Sequence, residues 1–468
     1  MCPSVLRPID GEFYAPPNPI LRSPTLNPPQ TYAPILTPPV IPSALLPRLP
    51  YGSRDQSSLP GSLSATHVLS THIVTAAWPR APSELFIESE HEPPENESKQ
   101  ERKARVLRGR EYLNARREAF ESRDESVPRR EEVLYSAFNR YRRKGPWLRD
   151  GLTLLVTHAV GFPKEIWEPT YAKIVEQTEA SGTVRVNEIW AYENPNHGDS
   201  AIINAGKFGV LAPWEDKSRD IIHFLLHYLP IDPSASADLP LHLPRLPDSV
   251  AEERRQRGFL DERTLVGLGH SAGATALLRA AVWEPKLFHC LMLVEPIIMT
   301  IEASTAPVYG MWAEGAIGRR SKWSSLTEAY NSYKISPSFS YWDPTVLETF
   351  MKHGIMEDKG RGPNAVKLKG PAFLEASVFS ERAFQPETYE HMAVLNKDIE
   401  IRFIFSGKSN VATAGEVSTA HVAWRRPENT SNIKIPVSHL MVQESPTEVS
   451  KAIVHFLRWK YSSKGAHL

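Results

Sequence analysis

Along the chain, short apolar runs alternate with stretches of helical periodicity. Leu152-Thr153-Leu154-Leu155-Val156-Thr157 and Thr264-Leu265-Val266-Gly267-Leu268 have the length and flanks of strands buried on both faces. Runs at 184–192, 288–294, 399–405 and 432–436 extend the series. Before them, 67–79 alternates apolar positions (Val68, Ile73, Val74, Trp78), which suits an edge strand, and 133–138 reads as a second short strand followed by the basic Arg140-Tyr141-Arg142-Arg143-Lys144. Helical spacing appears at 214–229, where Ile221, Ile222, Leu225, Leu226 and Leu229 share a face, in the Ala- and Leu-rich 274–282, and in a closing helix at 448–459. The alternation predicts a mostly parallel sheet with helices on both faces. It breaks between about 300 and 390, where 323–333, 343–353 and 370–379 read as helices with aromatic-rich loops. This is expected to be a helical cap inserted after the sixth strand.

Two segments lie outside this plan. Residues 1–62 are dominated by proline, which removes donors and forbids regular elements, so a disordered or polyproline-like tail is expected. Residues 88–130 carry mixed charge and read as a solvated helical insertion with no evident chemistry. The expected organisation is therefore a core at 63–299 and 391–461, the cap at 300–390, and a flexible tail at 462–468.

Composition narrows the function classes. Lys plus Arg and Asp plus Glu balance at 54 each, which gives no bulk attraction for nucleic acid or an anionic membrane. Two cysteines, Cys2 and Cys290, suggest no disulfide framework. No run has the length of a membrane span, and the N-terminal stretch lacks a basic-then-apolar leader, so an intracellular protein with idle sequons at Asn96 and Asn429 is expected. No metal or cofactor is called for.

The chemistry centres on Gly269-His270-Ser271-Ala272-Gly273, set between the strand at 264–268 and the helix that follows. A very sharp turn is needed to lift the Ser271 hydroxyl above a sheet. The positions two before and two after it then have no room for a side chain, and both are glycine. A G-x-S-x-G in this context is the nucleophile elbow of α/β-hydrolases, and that is the fold class expected. Serine needs a base and a group that supports the base, in the chain order Ser, acid, His. His439, in Val437-Ser438-His439-Leu440 after the last strand, fits the base; His421 precedes that strand and His455 lies in the closing helix. The usual acid slot reads Gly407-Lys408-Ser409-Asn410, and an amide cannot supply the charge. Glu295 directly follows the sixth strand, at the sheet edge where catalytic groups gather, and takes the acid role. The loop after the third strand, His158-Ala159-Val160-Gly161-Phe162-Pro163, assigns an oxyanion donor to Val160, the second being Ala272, with His158 as a brace. Phe162 and His270 are expected on the substrate side.

These stretches, together with 158–169 and Asn196-His197-Gly198-Asp199-Ser200, resemble fungal peroxisomal α/β-hydrolases, a group that includes acyl-coenzyme A hydrolases of the mycophenolic acid pathway type and toxin-biosynthesis hydrolases. The resemblance runs from about residue 66 to the C-terminus. It implies a thioesterase or related acyl hydrolase with its acid after the sixth strand, where Glu295 stands in place of the Asp expected of the family. Ala466-His467-Leu468 has the form of a peroxisomal import tripeptide, which implies the import receptor as a partner and the peroxisome as the location, or the cytoplasm if it is unused. The readings left open are an acyl-coenzyme A hydrolase, a carboxylesterase or lipase on apolar esters, and a non-catalytic homologue that binds a small ligand. Arg319-Arg320-Ser321-Lys322, early in the cap, would offer cations to coenzyme A phosphates.

Overall fold

The structure, a computed structural model, describes residues 11–18, 31–52, 54–81, 83–94, 97–122, 132–233, 239–259, 262–304, 308–408, 412 and 414–462. Its main sheet is built from β1 (His67–Thr75), β2 (Tyr135–Arg143), β3 (Leu152–Thr157), β4 (Val186–Tyr192), β5 (Thr264–His270) and β6 (Cys290–Val294). A second, smaller sheet holds β7 (Lys322–Trp323), β8 (Ile355–Glu357) and β9 (Val366–Leu368), after which β10 (Glu400–Ser406) and β11 (Thr430–Ile435) return to the first. The main sheet has the order β1-β2-β4-β3-β5-β6-β10-β11. β2 runs antiparallel to both of its neighbours, and the remaining pairs are parallel.

Alternation along the strands sorts the core into two layers. Leu154, Val156, Val266, Leu268, Met292 and Val294 pack against Ile174 and Val175 of helix Glu168–Ser181 and against Ile453, Phe456 and Leu457 of helix Pro446–Ser462. Leu155, Leu265, Leu291, Leu293, Ile401 and Phe403 face Leu225 and Leu226 of helix Trp214–His227 and Leu277 and Leu278 of helix Ala272–Trp283. Each such side chain, fully buried, contributes on the order of 2 kcal/mol. The register sets Thr157 beside Gly269, His270 beside Val294, and Val294 beside Ile404. The residues that follow β3, β5, β6 and β10 therefore emerge together at one edge.

Three segments depart from the sequence reading. The basic run at 140–144 lies mostly inside β2. Arg140 is buried there because Glu188 of β4 sits between it and Arg263, at 3.0 and 2.8 Å. The charged insertion forms helix Lys99–Glu121, started by a reciprocal Ser98–Glu101 cap, and it is not solvated on all sides. Leu113 packs with Ala313, Ile317 and Phe373 of the cap, Arg105 Nη1 donates to the Ile317 carbonyl at 2.8 Å, and Arg117 pairs with Glu381 at 3.2 Å. The cap is also not wholly helical. β7, β9 and β8 form an antiparallel sheet within it, and strands of two or three residues are too short to leave a pattern in sequence.

The described parts of the proline-rich segment are bound to the core. Extended proline-rich chain leaves its carbonyls without partners, and core side chains take them. Trp424 Nε1 donates to the Tyr14 carbonyl at 2.6 Å, and Arg219 donates to the carbonyls of Ala33 and Pro34 at 3.0 and 2.8 Å. Among the described residues, no helix is long and apolar enough to cross a membrane.

Candidate active site

β5 ends in a turn that places Ser271 at φ 57, ψ −127, a region that L-residues rarely occupy. The flanking glycines make this turn possible. A Cβ on Gly269 would come within 2.6 Å of Ala274 Cα and Thr157 Oγ1, and one on Gly273 within 2.5 Å of the His158 carbonyl. The strained residue is held by its own N–H, which donates to the Val294 carbonyl at 3.0 Å. Ala272 opens the following helix, so its N–H is among those the helix itself leaves unpaired.

His439 sits in the loop after β11, and its Nε2 lies 3.1 Å from Ser271 Oγ. Several contacts fix that loop. Ser406 Oγ donates to the Val437 carbonyl at 2.6 Å, and the Ser438 N–H donates to Glu444 Oε2 at 3.1 Å. His270 Nε2 meets the His439 carbonyl at 2.9 Å. Trp312 of the cap lies nearly parallel to the His439 ring, 15° between planes at 6.3 Å.

Glu295 follows β6 at φ 44, a second left-handed residue at the same edge. Its Oε2 accepts the Ser406 N–H at 2.6 Å, and its Oε1 lies 4.0 Å from His439 Nδ1, beyond hydrogen-bond range. His439 Nδ1 has no hydrogen-bond partner among the described residues. Burial pushes the Glu295 carboxyl up to about 8, with the Ser406 N–H opposing the rise. Burial, followed by the nearby His270 ring, pushes His439 down to about 3. The resting site thus holds a neutral imidazole on the serine and a carboxyl that ionises only in mildly alkaline solution.

The loop after β3 is set by two imidazoles with defined tautomers. His158 Nε2 accepts from Asn194 N at 3.1 Å, so its Nδ1 donates to the Ala159 carbonyl at 2.8 Å. His197 Nε2 accepts from Gly161 N at 2.8 Å, so its Nδ1 donates to Asn196 Oδ1 at 2.8 Å. Val160 is buried in one cluster with Ala272, Trp214, Ile297, Met299 and Phe384. Gly161, at φ 90, faces Glu375 of the cap, whose Oε1 would lie 2.9 Å from an added Cβ.

Phe162 points into the cap, edge-on to Trp342 at 5.4 Å and Phe350 at 6.1 Å. It lines a shallow recess with Gly161, His197, Arg319 and Glu375. His270, expected on the substrate side, is wholly buried instead, and its ring is spent on the backbone of the His439 loop. Odd and even positions of β5 face opposite layers, and His270 falls on the same covered face as Val266 and Leu268, near Trp167. The basic run of the cap is also committed: Arg319 pairs with Glu375, Arg320 with Glu328, and Lys322 with Glu92. It therefore offers no idle cation cluster for phosphates. Asn410 and the tripeptide Ala466-His467-Leu468 lie outside the described residues. Ser406 and Trp312 escaped the sequence reading because neither stands in a recognisable motif. Among the described residues, no group of three or more His, Cys, Asp or Glu could hold a metal.

No family model matches the chain. Among curated proteins it is similar to the type I acyl-CoA thioesterase mpaH of Penicillium brevicompactum, 28% identical over 234 residues, which cover 49% of this chain and 46% of the relative. The thioesterase mpaH of Penicillium roqueforti is 23% identical over 322 residues, 66% of each chain. The peroxisomal membrane protein LPX1 of Saccharomyces cerevisiae is 28% identical over 172 residues, 36% of each. The chain thus spans less than half the length of the P. brevicompactum relative. Among solved structures, the peroxisomal alpha-beta-hydrolase Lpx1 from Saccharomyces cerevisiae superposes with a TM-score of 0.59 at 18% identity, over 85% of this chain and 90% of that one.

Proposed function

With the α/β-hydrolase fold as premise, we propose that this chain hydrolyses an acyl thioester or ester through Ser271. The observation that carries the reading is the 3.1 Å approach of His439 Nε2 to the hydroxyl of a nucleophile held at positive φ. Ser271 Oγ attacks the acyl carbonyl as its proton passes to His439 Nε2, and the oxyanion is met by the N–H groups of Ala272 and Val160. The imidazolium then draws the Glu295 carboxylate across the present 4.0 Å separation. His439 returns the proton to the leaving thiol or alcohol, which leaves an acyl-serine. A water, deprotonated by the same imidazole, cleaves that ester to release the acid and restore Ser271. His270 and Ser406 act as positioning residues, through the His439 loop and through Glu295.

The apolar cluster around Val160, Ile297, Met299 and Phe384 suits an apolar acyl group. The relatives named as acyl-CoA thioesterases support a coenzyme A thioester as the substrate class. One observation favours a simple ester instead, namely that Arg319, Arg320 and Lys322 are already paired. Purified protein assayed on a panel of acyl-coenzyme A thioesters and matched short esters decides between them. Turnover of neither, together with no labelling of Ser271 by a fluorophosphonate, rejects the enzyme reading.

The pH profile is a second test. Glu295 supports an imidazolium only when ionised, and burial places its ionisation near 8. Raising the pH converts the neutral carboxyl to carboxylate, so kcat/KM is expected to climb through about pH 8. A climb centred near the ordinary imidazole value of about 6.5 would instead assign the titration to His439.

For localisation, the relatives named peroxisomal support the reading of Ala466-His467-Leu468 as an import signal. A fluorescent protein fused ahead of the chain, with the tripeptide free, is expected in puncta that become diffuse when Leu468 is deleted. A diffuse signal from the intact tail rejects it.

A further inference from the structure

Beside the loop after β4 lies a recess lined by Leu134, Phe208, Leu211 and Leu374 together with Asn196 and Lys217. Its lining includes none of Ser271, Glu295 or His439. Lys217, on helix Trp214–His227, is 4% exposed, and its Nζ has no hydrogen-bond partner among the described residues. The nearest aid is the Trp214 ring, 5.1 Å from the ammonium. A buried ammonium without a counter-ion is rare because desolvation opposes its charge. Burial indeed pushes Lys217 down to about 7, against the attraction of Glu381 and Asp220.

A second donor in the same recess is also idle. Gly161 N–H fixes His197 Nε2 as an acceptor, so His197 Nδ1 donates, and the Asn196 atom it meets must be the amide oxygen. That leaves Asn196 Nδ2, buried and without a partner among the described residues. The other charges at the recess are paired or at most half-buried. Arg80 is held by Asp220 at 2.6 Å and Asp216 at 3.4 Å, Asp216 also holds Arg219, Lys207 lies 5.6 Å from the Tyr135 ring, and Glu132 is exposed. What remains buried and without a partner among the described residues is one ammonium and one amide NH₂, both pure donors, beside an apolar wall.

We propose that this recess binds an organic carboxylate, its head accepting from Lys217 Nζ and Asn196 Nδ2 and its apolar body lying on Leu134, Phe208, Leu211 and Leu374. At the buried end of the recess one unpaired positive charge matches a monoanion and leaves a phosphate dianion half unneutralised. The apolar lining gives an organic body the contact that an inorganic ion cannot use.

Calorimetric titration of the full chain with hexanoate, benzoate, acetate and inorganic phosphate tests this without reference to turnover. Hexanoate or benzoate is expected to bind saturably and at least tenfold more tightly than acetate or phosphate. Lys217→Met, which keeps the stem and removes the unpaired charge, is expected to weaken that binding at least tenfold while melting no lower than wild type. Lys217→Gln gives the same readout should Met disturb the fold. No saturable binding by wild type, phosphate binding as tightly as hexanoate, or unchanged affinity in the variants overturns the proposal.

Discussion

Ser271→Ala is expected to fold normally and to retain about a millionth of wild-type turnover. The residual reflects what the oxyanion donors and substrate binding achieve without a nucleophile. Folding is preserved because the strain at φ 57 is accommodated by Gly269 and Gly273 on either side, and Ala removes only the hydroxyl. The hydroxyl contributes the 3.1 Å contact with His439, while His439 is held by the His270, Ser406 and Ser438 contacts that do not pass through Ser271. Circular dichroism melting beside a turnover assay checks both halves. Turnover within tenfold of wild type in a cleanly prepared variant excludes Ser271 as nucleophile.

Glu295→Gln tests the less familiar half of the site. Gln preserves length and can still accept the Ser406 N–H, so the edge of the sheet keeps its shape. Above pH 8, where the wild-type carboxyl is ionised, it removes the negative charge that an imidazolium needs, and by comparison with an Asp-to-Asn change in a serine triad turnover should fall about ten-thousandfold. The rise of kcat/KM through about pH 8 should disappear with it, because the group that titrates there is gone. A merely structural carboxyl would move the melting temperature and leave the pH profile intact. Near-neutral behaviour of Glu295→Gln, with a severe loss in Asn410→Ala, would transfer the acid's role to the turn after β10.

Much of this was legible because the relevant signals are local. Buried strands read as apolar runs, and the elbow reads as two glycines flanking a serine, since in each case the neighbours in sequence are the cause of the geometry. Chain order and the ends of strands pointed to His439 and Glu295, which the structure brings to one edge with 4.0 Å between them. What could not be read depends on partners distant in the chain. The burial of Arg140 requires Glu188, and the docking of helix Lys99–Glu121 requires Ile317 and Glu381, 212 and 264 residues from Arg105 and Arg117. His270 looked available because it directly precedes Ser271, the residue to which the sequence assigns the chemistry. Its place on β5 sets it on the covered face of Val266 and Leu268, and no local pattern reveals that the His439 carbonyl awaits it.

The contact between the proline-rich segment and β11 has a wider consequence. β11 is the last strand of the main sheet and would present a row of unpaired backbone groups to solvent. Lys434 N–H donates to the Glu12 carbonyl at 2.7 Å, Asn432 and the backbone of Tyr14 exchange hydrogen bonds at 2.7 and 3.1 Å, and the Tyr14 ring lies under the Lys434 ammonium at 3.9 Å. A segment that enters through Glu12 and Tyr14 and continues into Pro16 and Pro17 occupies part of the place where another chain would add a strand. The described part of the tail thus covers a stretch of the sheet's edge that would otherwise be open to an added strand.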